Sequence, residues 1–143
     1  MTGRAKELIA ALGLAPHPEG GWYRETLRVP AADGGRDVVT AIHFLLEEGQ
    51  RSHWHRVDAT EIWCWHGGSP LELRMAEGEG GPVRAIRLGG DVLAGEAVQA
   101  VVPAGWWQAG RPLGGWALVS CIVAPGFRFE GFALAPPGFE PGS

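Results

Sequence analysis

Glycine and proline recur in small clusters along the chain, such as EGG, DGG, HGGSP, EGEGGP, PAG, GRPLGG, APG and APPG. They cut it into apolar runs of roughly five to eight residues, the length of ordinary strands. The runs include VVTAIHFLL, EIWCWH, PLELRM, VRAIRL, AVQAVV and WALVSCIV, rich in Val, Ile, Leu, Trp and Phe. Such side chains suit a pleated surface, and no helical segments intervene, so the pattern predicts an all-β antiparallel sandwich or barrel. One segment departs from it. Leu8, Ile9 and Leu12 stand at helical spacing with charges opposite, and the run stops at APHPEGG. This predicts a short amphipathic helix over about 4–14, before a barrel over about 21–134. The tail 135–143, rich in Pro and Gly, is expected to fray or lie along the surface without chemistry.

At 143 residues the chain suits one domain, 1–143, since a second core would be too small to persist. Its 45% hydrophobic and 20% charged residues fit a folded globular protein. A formal net charge of -4 and the lack of a basic run argue against a nucleic-acid partner. No run approaches the roughly 20 apolar residues of a membrane span, and MTGRAKELIAALG lacks a secretory core, so no membrane association and a cytoplasmic location are expected. Cys64 and Cys121 form no disulfide framework or zinc-ribbon spacing and are expected to be buried thiols.

The stretch RSHWHRVDATEIWCWHGG carries the strongest chemical signal. On a strand, His53 and His55 would face one side, about 6.6 to 6.8 Å apart, with Trp54 on the other. Alternation along EIWCWH puts Glu61, Trp63 and Trp65 on one face. Two imidazoles and a carboxylate make a mixed nitrogen and oxygen site suited to Fe(II), Mn(II), Ni(II) or Zn(II), with open positions for substrate. The alternative is a pair of exposed or hydrogen-bonded histidines beside a paired carboxylate.

Around this stretch, His43 shares the face of Ala41 and Leu45 and could act as a general acid or base if that face lines the barrel. Tyr23, Arg24 and Glu25 crowd PEGGWYRET with Glu19, where an arginine flanked by carboxylates can grip a substrate carboxylate or phosphate or simply join an ion network. Trp63, Trp65 and Trp107 could line a pocket for a flat or sugar-like ligand, and would serve core packing equally well.

The chain resembles the cupin superfamily, whose small barrels carry two motifs. The first, G-x5-H-x-H-x3 or 4-E-x6-G, looks like Gly49, His53, His55, Glu61 and Gly68; the second, G-x5-P-x-G-x2-H-x3-N, looks like Gly95, Pro103, Gly105 and Gln108. The spacing departs from the pattern on both sides of the histidine pair and between Gly95 and Pro103, and Gln108 stands where the second motif has histidine. PHPEGGWYRET, TAIHFLL, HRVDATEIWCWHGGSPLEL, VVPAGWWQAG and VAPGFRFEGFAL together resemble the small cupins of the domain-of-unknown-function 985 family. The resemblance implies a jelly-roll barrel, a homodimer, and one divalent metal held by His53, His55, Glu61 and Gln108. It implies no settled reaction.

These readings converge on a metal-binding cupin acting as an isomerase, epimerase or lyase on a small polar substrate, sugar-like or a keto acid. The metal would polarise a carbonyl while His43, His55 or Tyr23 moves a proton. An Fe(II) dioxygenase with the same ligands, a metal-free epimerase using His55 as base, and a metal-free binding protein are the alternatives.

Overall fold

The computed structural model describes residues 3–142; Met1, Thr2 and Ser143, the ends of the expected 1–143 domain, lie outside the described residues. Helix α1 runs Gly3–Leu12. It ends before position 14 because Gly13 takes a left-handed conformation (φ 66). The Leu14 amide then returns to the Ile9 carbonyl at 2.9 Å, a turn that satisfies a helix-end carbonyl. The apolar side of α1 packs with Leu14 against Trp22, Leu45, Trp116 and Leu118.

Eleven strands follow: β1 Ala15–Pro16, β2 Trp22–Val29, β3 Val39–Leu46, β4 Ser52–Val57, β5 Thr60–Gly68, β6 Leu71–Ala76, β7 Arg84–Leu88, β8 Gln99–Val102, β9 Trp107–Pro112, β10 Ala117–Ala124 and β11 Phe132–Leu134. They form two sheets, ordered β1-β2-β3-β10-β5-β8 (sheet A) and β11-β4-β9-β6-β7 (sheet B), whose strand pairings are antiparallel. This is the expected all-β jelly-roll barrel with a short N-terminal helix. Among the described residues no helix is long and apolar enough to cross a membrane.

The inner faces of several strands are divided lengthwise. On β3, Phe44 and Leu46 enter the main core, whereas Thr40 and Ile42 line a cavity. On β10, Ala117 and Val119 belong to the core, Val123 to the cavity wall, and Cys121 stands at the boundary and belongs to both. On β5, Trp63 is core and Glu61 is cavity. One end of the barrel is therefore filled, by Trp63, Leu71, Leu73, Met75 and Leu88 among others, and the other end is open.

The tail does not fray over the described residues: it crosses the outer face of sheet B. Ala135 donates its amide to the Trp54 carbonyl (3.0 Å), Trp54 Nε1 donates to Glu140 (3.2 Å), and Phe139 packs on Trp107 with ring centroids 4.7 Å apart. Burying two tryptophan faces supplies the apolar contact that the tail's composition concealed.

Candidate active site

The open end of the barrel is a pocket of about 460 Å³, a size suited to a small metabolite. Its floor is built from three segments. The first is the turn between β1 and β2. Gly20 (φ 109) lies where a Cβ would sit 2.2 Å from the Arg51 carbonyl oxygen, and Gly21 (φ 81) where one would strike Leu46. Only glycine permits that approach. It lets the turn tuck against β4, where the His53 amide donates to the Glu19 carbonyl at 2.8 Å. His17 and Glu19 are thereby carried into the pocket.

The second segment is β4, and here the histidine pair parts company. Ser52 pairs with Gly110 and His55 with Gln108, so three steps on β4 match two on β9. This bulge inserts one residue and breaks the alternation. Ser52 and His55 both point inward and are fully buried. His53 is turned outward instead, with Nε2 3.0 Å from the Pro136 carbonyl oxygen. The expectation that His53 and His55 share one face is thus corrected.

His55 Nδ1 lies 2.8 Å from the His53 carbonyl, to which it can only donate. The lone pair of the neutral ring therefore sits on Nε2, which faces Glu19 Oε1 at 3.4 Å. Burial pushes His55 below its ordinary range, against an opposing pull from the Glu61 charge. Glu19 is itself pushed up to about 8 by burial, although the Ser52 hydroxyl, in close contact with its other oxygen, partly stabilises the charge. His17 accepts the Glu19 amide hydrogen on Nδ1 at 3.1 Å, so its proton resides on Nε2. Burial and the neighbouring His55 lower its pKa to about 4. Tyr23 stands edge-on to His17, 4.5 Å between centroids.

Glu61 closes the floor from β5. Burial raises it to about 7, opposed by His55. The Gln108 amide nitrogen donates to its Oε1 at 3.0 Å, and the Cys121 thiol also bonds to it. Burial and the same carboxyl raise the Cys121 thiol well above its usual range, keeping it protonated. Gln108 Oε1 in turn accepts the Trp63 indole hydrogen at 2.7 Å.

Of the residues expected at the site, Tyr23, Arg24, Glu25, His55 and Glu61 line the pocket. Others do not. His43 lies on the outer face of sheet A, in register with Ser120, because Ile42 and Phe44 take the inward positions on β3. Trp63 is fully buried in the core behind Gln108, and Trp65 packs against that core and donates to the Ser69 carbonyl at 2.9 Å. Trp107 faces outward beneath the tail, with Arg56 4.8 Å over its ring. The walls are instead Val57, Val123, Phe127 and Phe129, and arginines 24, 28 and 128 stand among the lining residues. His17 also lines the pocket and was not singled out by spacing, whereas Glu19 was noted only as a neighbour of Arg24. The one signal for their place in the floor was the paired glycines that follow.

The chain matches the family described as Cupin superfamily (DUF985) over residues 6–135. It belongs to that family. A solved structure of the same shape, protein SO0799 from Shewanella oneidensis, is 39% identical over 92% of this chain and 84% of that one, with a TM-score of 0.85. A hypothetical protein from Leishmania major is 32% identical over 94% and 89%, TM-score 0.82. Oxalate decarboxylase from Bacillus subtilis shares the fold at 16% identity (TM-score 0.63), over 83% of this chain and only 29% of its own. No curated protein sequence matches this cupin.

Cupins often bind a metal, and the residues implied for it here were tested against their present partners. The Trp63 indole is a donor only, so the atom of Gln108 that it meets must be the oxygen. Gln108 then presents its amide nitrogen to Glu61, which cannot ligate a cation. With His53 outside the barrel, two of the four implied ligands are lost to this cupin's pocket. Among the described residues no three His, Cys, Asp or Glu side chains are arranged to hold a metal ion. The implied ligand set does not fit.

Proposed function

We propose that this cupin catalyses proton transfer next to a carbonyl, as an isomerase or epimerase of a small polar substrate, without a metal ligated by His53, His55, Glu61 and Gln108. The observation that carries the reading is His55 Nε2 facing Glu19 Oε1 at 3.4 Å, both side chains largely buried at the bottom of the pocket. A neutral imidazole base beside a carboxyl that holds its proton near pH 7 is a matched acid and base. His55 takes the proton from carbon while the Glu19 carboxyl delivers its own to the carbonyl oxygen, giving an enediol. Glu61 stabilises the imidazolium that forms, and return of the two protons gives product. Val57, Val123 and Phe127 give the pocket an apolar wall beside the two groups.

The test is deuterium incorporation from heavy water into hydroxy-aldehydes, hydroxy-ketones and keto acids, using protein treated with a chelator. Exchange that survives chelation and is lost in both His55→Ala and Glu19→Gln supports the reading. Exchange that disappears on chelation and returns with Mn(II) or Fe(II) overturns the metal-independent assignment. Binding without exchange in any compound overturns catalysis and leaves a binding protein.

A homodimer is proposed on separate ground. Leu27, Ala41, Ile122, Ile62 and Val101 stand in register across five strands on the outer face of sheet A, with Leu27 and Val101 about half exposed. In the next row His43 Nδ1 is buried without a hydrogen-bond partner among the described residues. A second copy laid on this face would cover the stripe. Light scattering on wild type and Ile62→Glu tests it: a dimer dissociated by the substitution is expected, and a monomeric wild type refutes it.

A further inference from the structure

Three arginines line the pocket, and their partners differ. Arg28 is engaged by Glu25, at 2.6 Å and 2.9 Å, and by Asp37 at 2.5 Å. Arg128 reaches Asp58 at 3.2 Å, a carboxylate it shares with Arg36 at 2.7 Å. Arg24 has no carboxylate partner among the described residues. Its one polar contact is Nη1 to the Leu12 carbonyl at 3.5 Å, at the C-terminus of α1. Counting Arg36, which lies behind the lining and shares Asp58, four guanidiniums meet the three carboxylates Glu25, Asp37 and Asp58, and the one without a carboxylate partner is Arg24. The helix end favours a cation there, and the side chain runs alongside Gly13. The remaining donors of its planar fork are free to take two oxygens of one group.

We propose that the substrate of this pocket is an anion whose carboxylate or phosphate oxygens are bound by Arg24, with its reacting carbons directed down to His55 and Glu19. Arg24 is thus a specificity-determining residue. The inference rests on the proton-transfer reading for the orientation of the bound molecule, but anion capture at Arg24 stands apart from it. Because Glu25 and Asp58 are already matched, the charge of Arg24 favours an anion, gives a neutral acceptor only ordinary hydrogen bonds, and repels a cation. The aliphatic and phenyl wall of Ile42, Val57, Phe127 and Phe129 accommodates the carbon chain between the two polar ends.

Three probes with one carbon skeleton separate the possibilities: glucose, gluconate and glucose 6-phosphate, measured by calorimetry against wild type, Arg24→Gln and Arg84→Gln. Arg84 is an exposed residue of β7 on the far sheet and serves as the charge control. At least one anion is expected to bind roughly 10-fold or more tightly than glucose, as a charged hydrogen-bonded pair implies, and Arg24→Gln is expected to erase that advantage while Arg84→Gln keeps it. Preference for gluconate identifies a carboxylate, and for glucose 6-phosphate a phosphate. Anion affinities no better than glucose's, or an anion preference that persists in Arg24→Gln, overturn the inference. Both substituted residues are exposed, so the variants are expected to fold, which circular dichroism checks. The two readings fail separately. Arg24-dependent anion binding with no deuterium exchange sinks proton transfer alone, and exchange in neutral compounds that ignores Arg24 sinks anion capture alone.

Discussion

The Trp63 indole nitrogen donates to Gln108 Oε1 at 2.7 Å, and this one bond fixes which end of the amide meets Glu61. Gln108→Leu leaves a buried indole N–H and a buried carboxyl each short of a partner. The expected loss is about 1–3 kcal/mol for each unsatisfied group, read as a lower denaturant midpoint at unchanged slope. The lost hydrogen bond also favoured charged Glu61, so its pKa is expected to rise further in the variant, measurable by carbon NMR of the labelled carboxyl.

Glu19 ties stability to pH. Its folded pKa of about 8 lies above the ordinary 4.5, so the folded state holds a proton that the unfolded state releases. Stability from this group is complete below pH 4.5 and declines as pH rises to about 8. Glu61 acts in the same sense up to about pH 7. His17, lowered from 6.5 to about 4, acts oppositely, with stability lost as pH falls through that window. Thermal midpoints measured from pH 5 to 8 are expected to fall toward the alkaline end in wild type and to flatten in Glu19→Gln. Equal slopes would show that Glu19 titrates normally.

His53 and His55 are expected to behave as unlike residues despite their spacing. His53→Ala removes an outward contact to Pro136 and should leave deuterium exchange within about twofold of wild type, whereas His55→Ala abolishes it. Elemental analysis of both variants beside wild type checks the ligand question. Near-stoichiometric metal lost in His53→Ala would mean that the bulge of β4 had been misassigned.

Gly20→Ala tests the turn that delivers Glu19. The added Cβ, 2.2 Å from the Arg51 oxygen at φ 109, must push the turn away from β4. A destabilisation of about 1–3 kcal/mol is expected, with loss of exchange as Glu19 leaves Ser52. Denaturation followed by fluorescence provides the first number, and the exchange assay the second.

Shortening the chain after Leu134 strips Phe139 and Glu140 from Trp107 and Trp54. Tryptophan emission should shift to longer wavelength and the thermal midpoint should fall. Unchanged emission would place the tail off the sheet.

The barrel and the helix were legible because glycine and proline mark strand ends and because Leu8, Ile9 and Leu12 repeat at helical period. The inward face of Glu61 and Trp63 was legible for the same reason, as β5 keeps strict alternation there. His53 was misplaced because a bulge is decided by pairing with β9, and no local spacing records it. The tryptophans were left open between pocket and core because an indole fills a core as readily as it lines a pocket, and tertiary position, such as that of Trp107 under the tail, separates the two. His17 went unnoticed in a turn, and Glu19 was noted there only as a neighbour of Arg24 and not as a partner of His55. A carboxyl in a loop reads as solvent-exposed until the backbone approach allowed by Gly20 is known.

The lengthwise division of the inner faces has an evolutionary corollary. Thr40, Ile42 and Val123 line the pocket, while Phe44, Leu46, Ala117 and Val119 on the same two strands fill the core. Selection can therefore revise the first set while the second holds the barrel together. A lineage built this way can change what it recognises many times without passing through an unfolded ancestor.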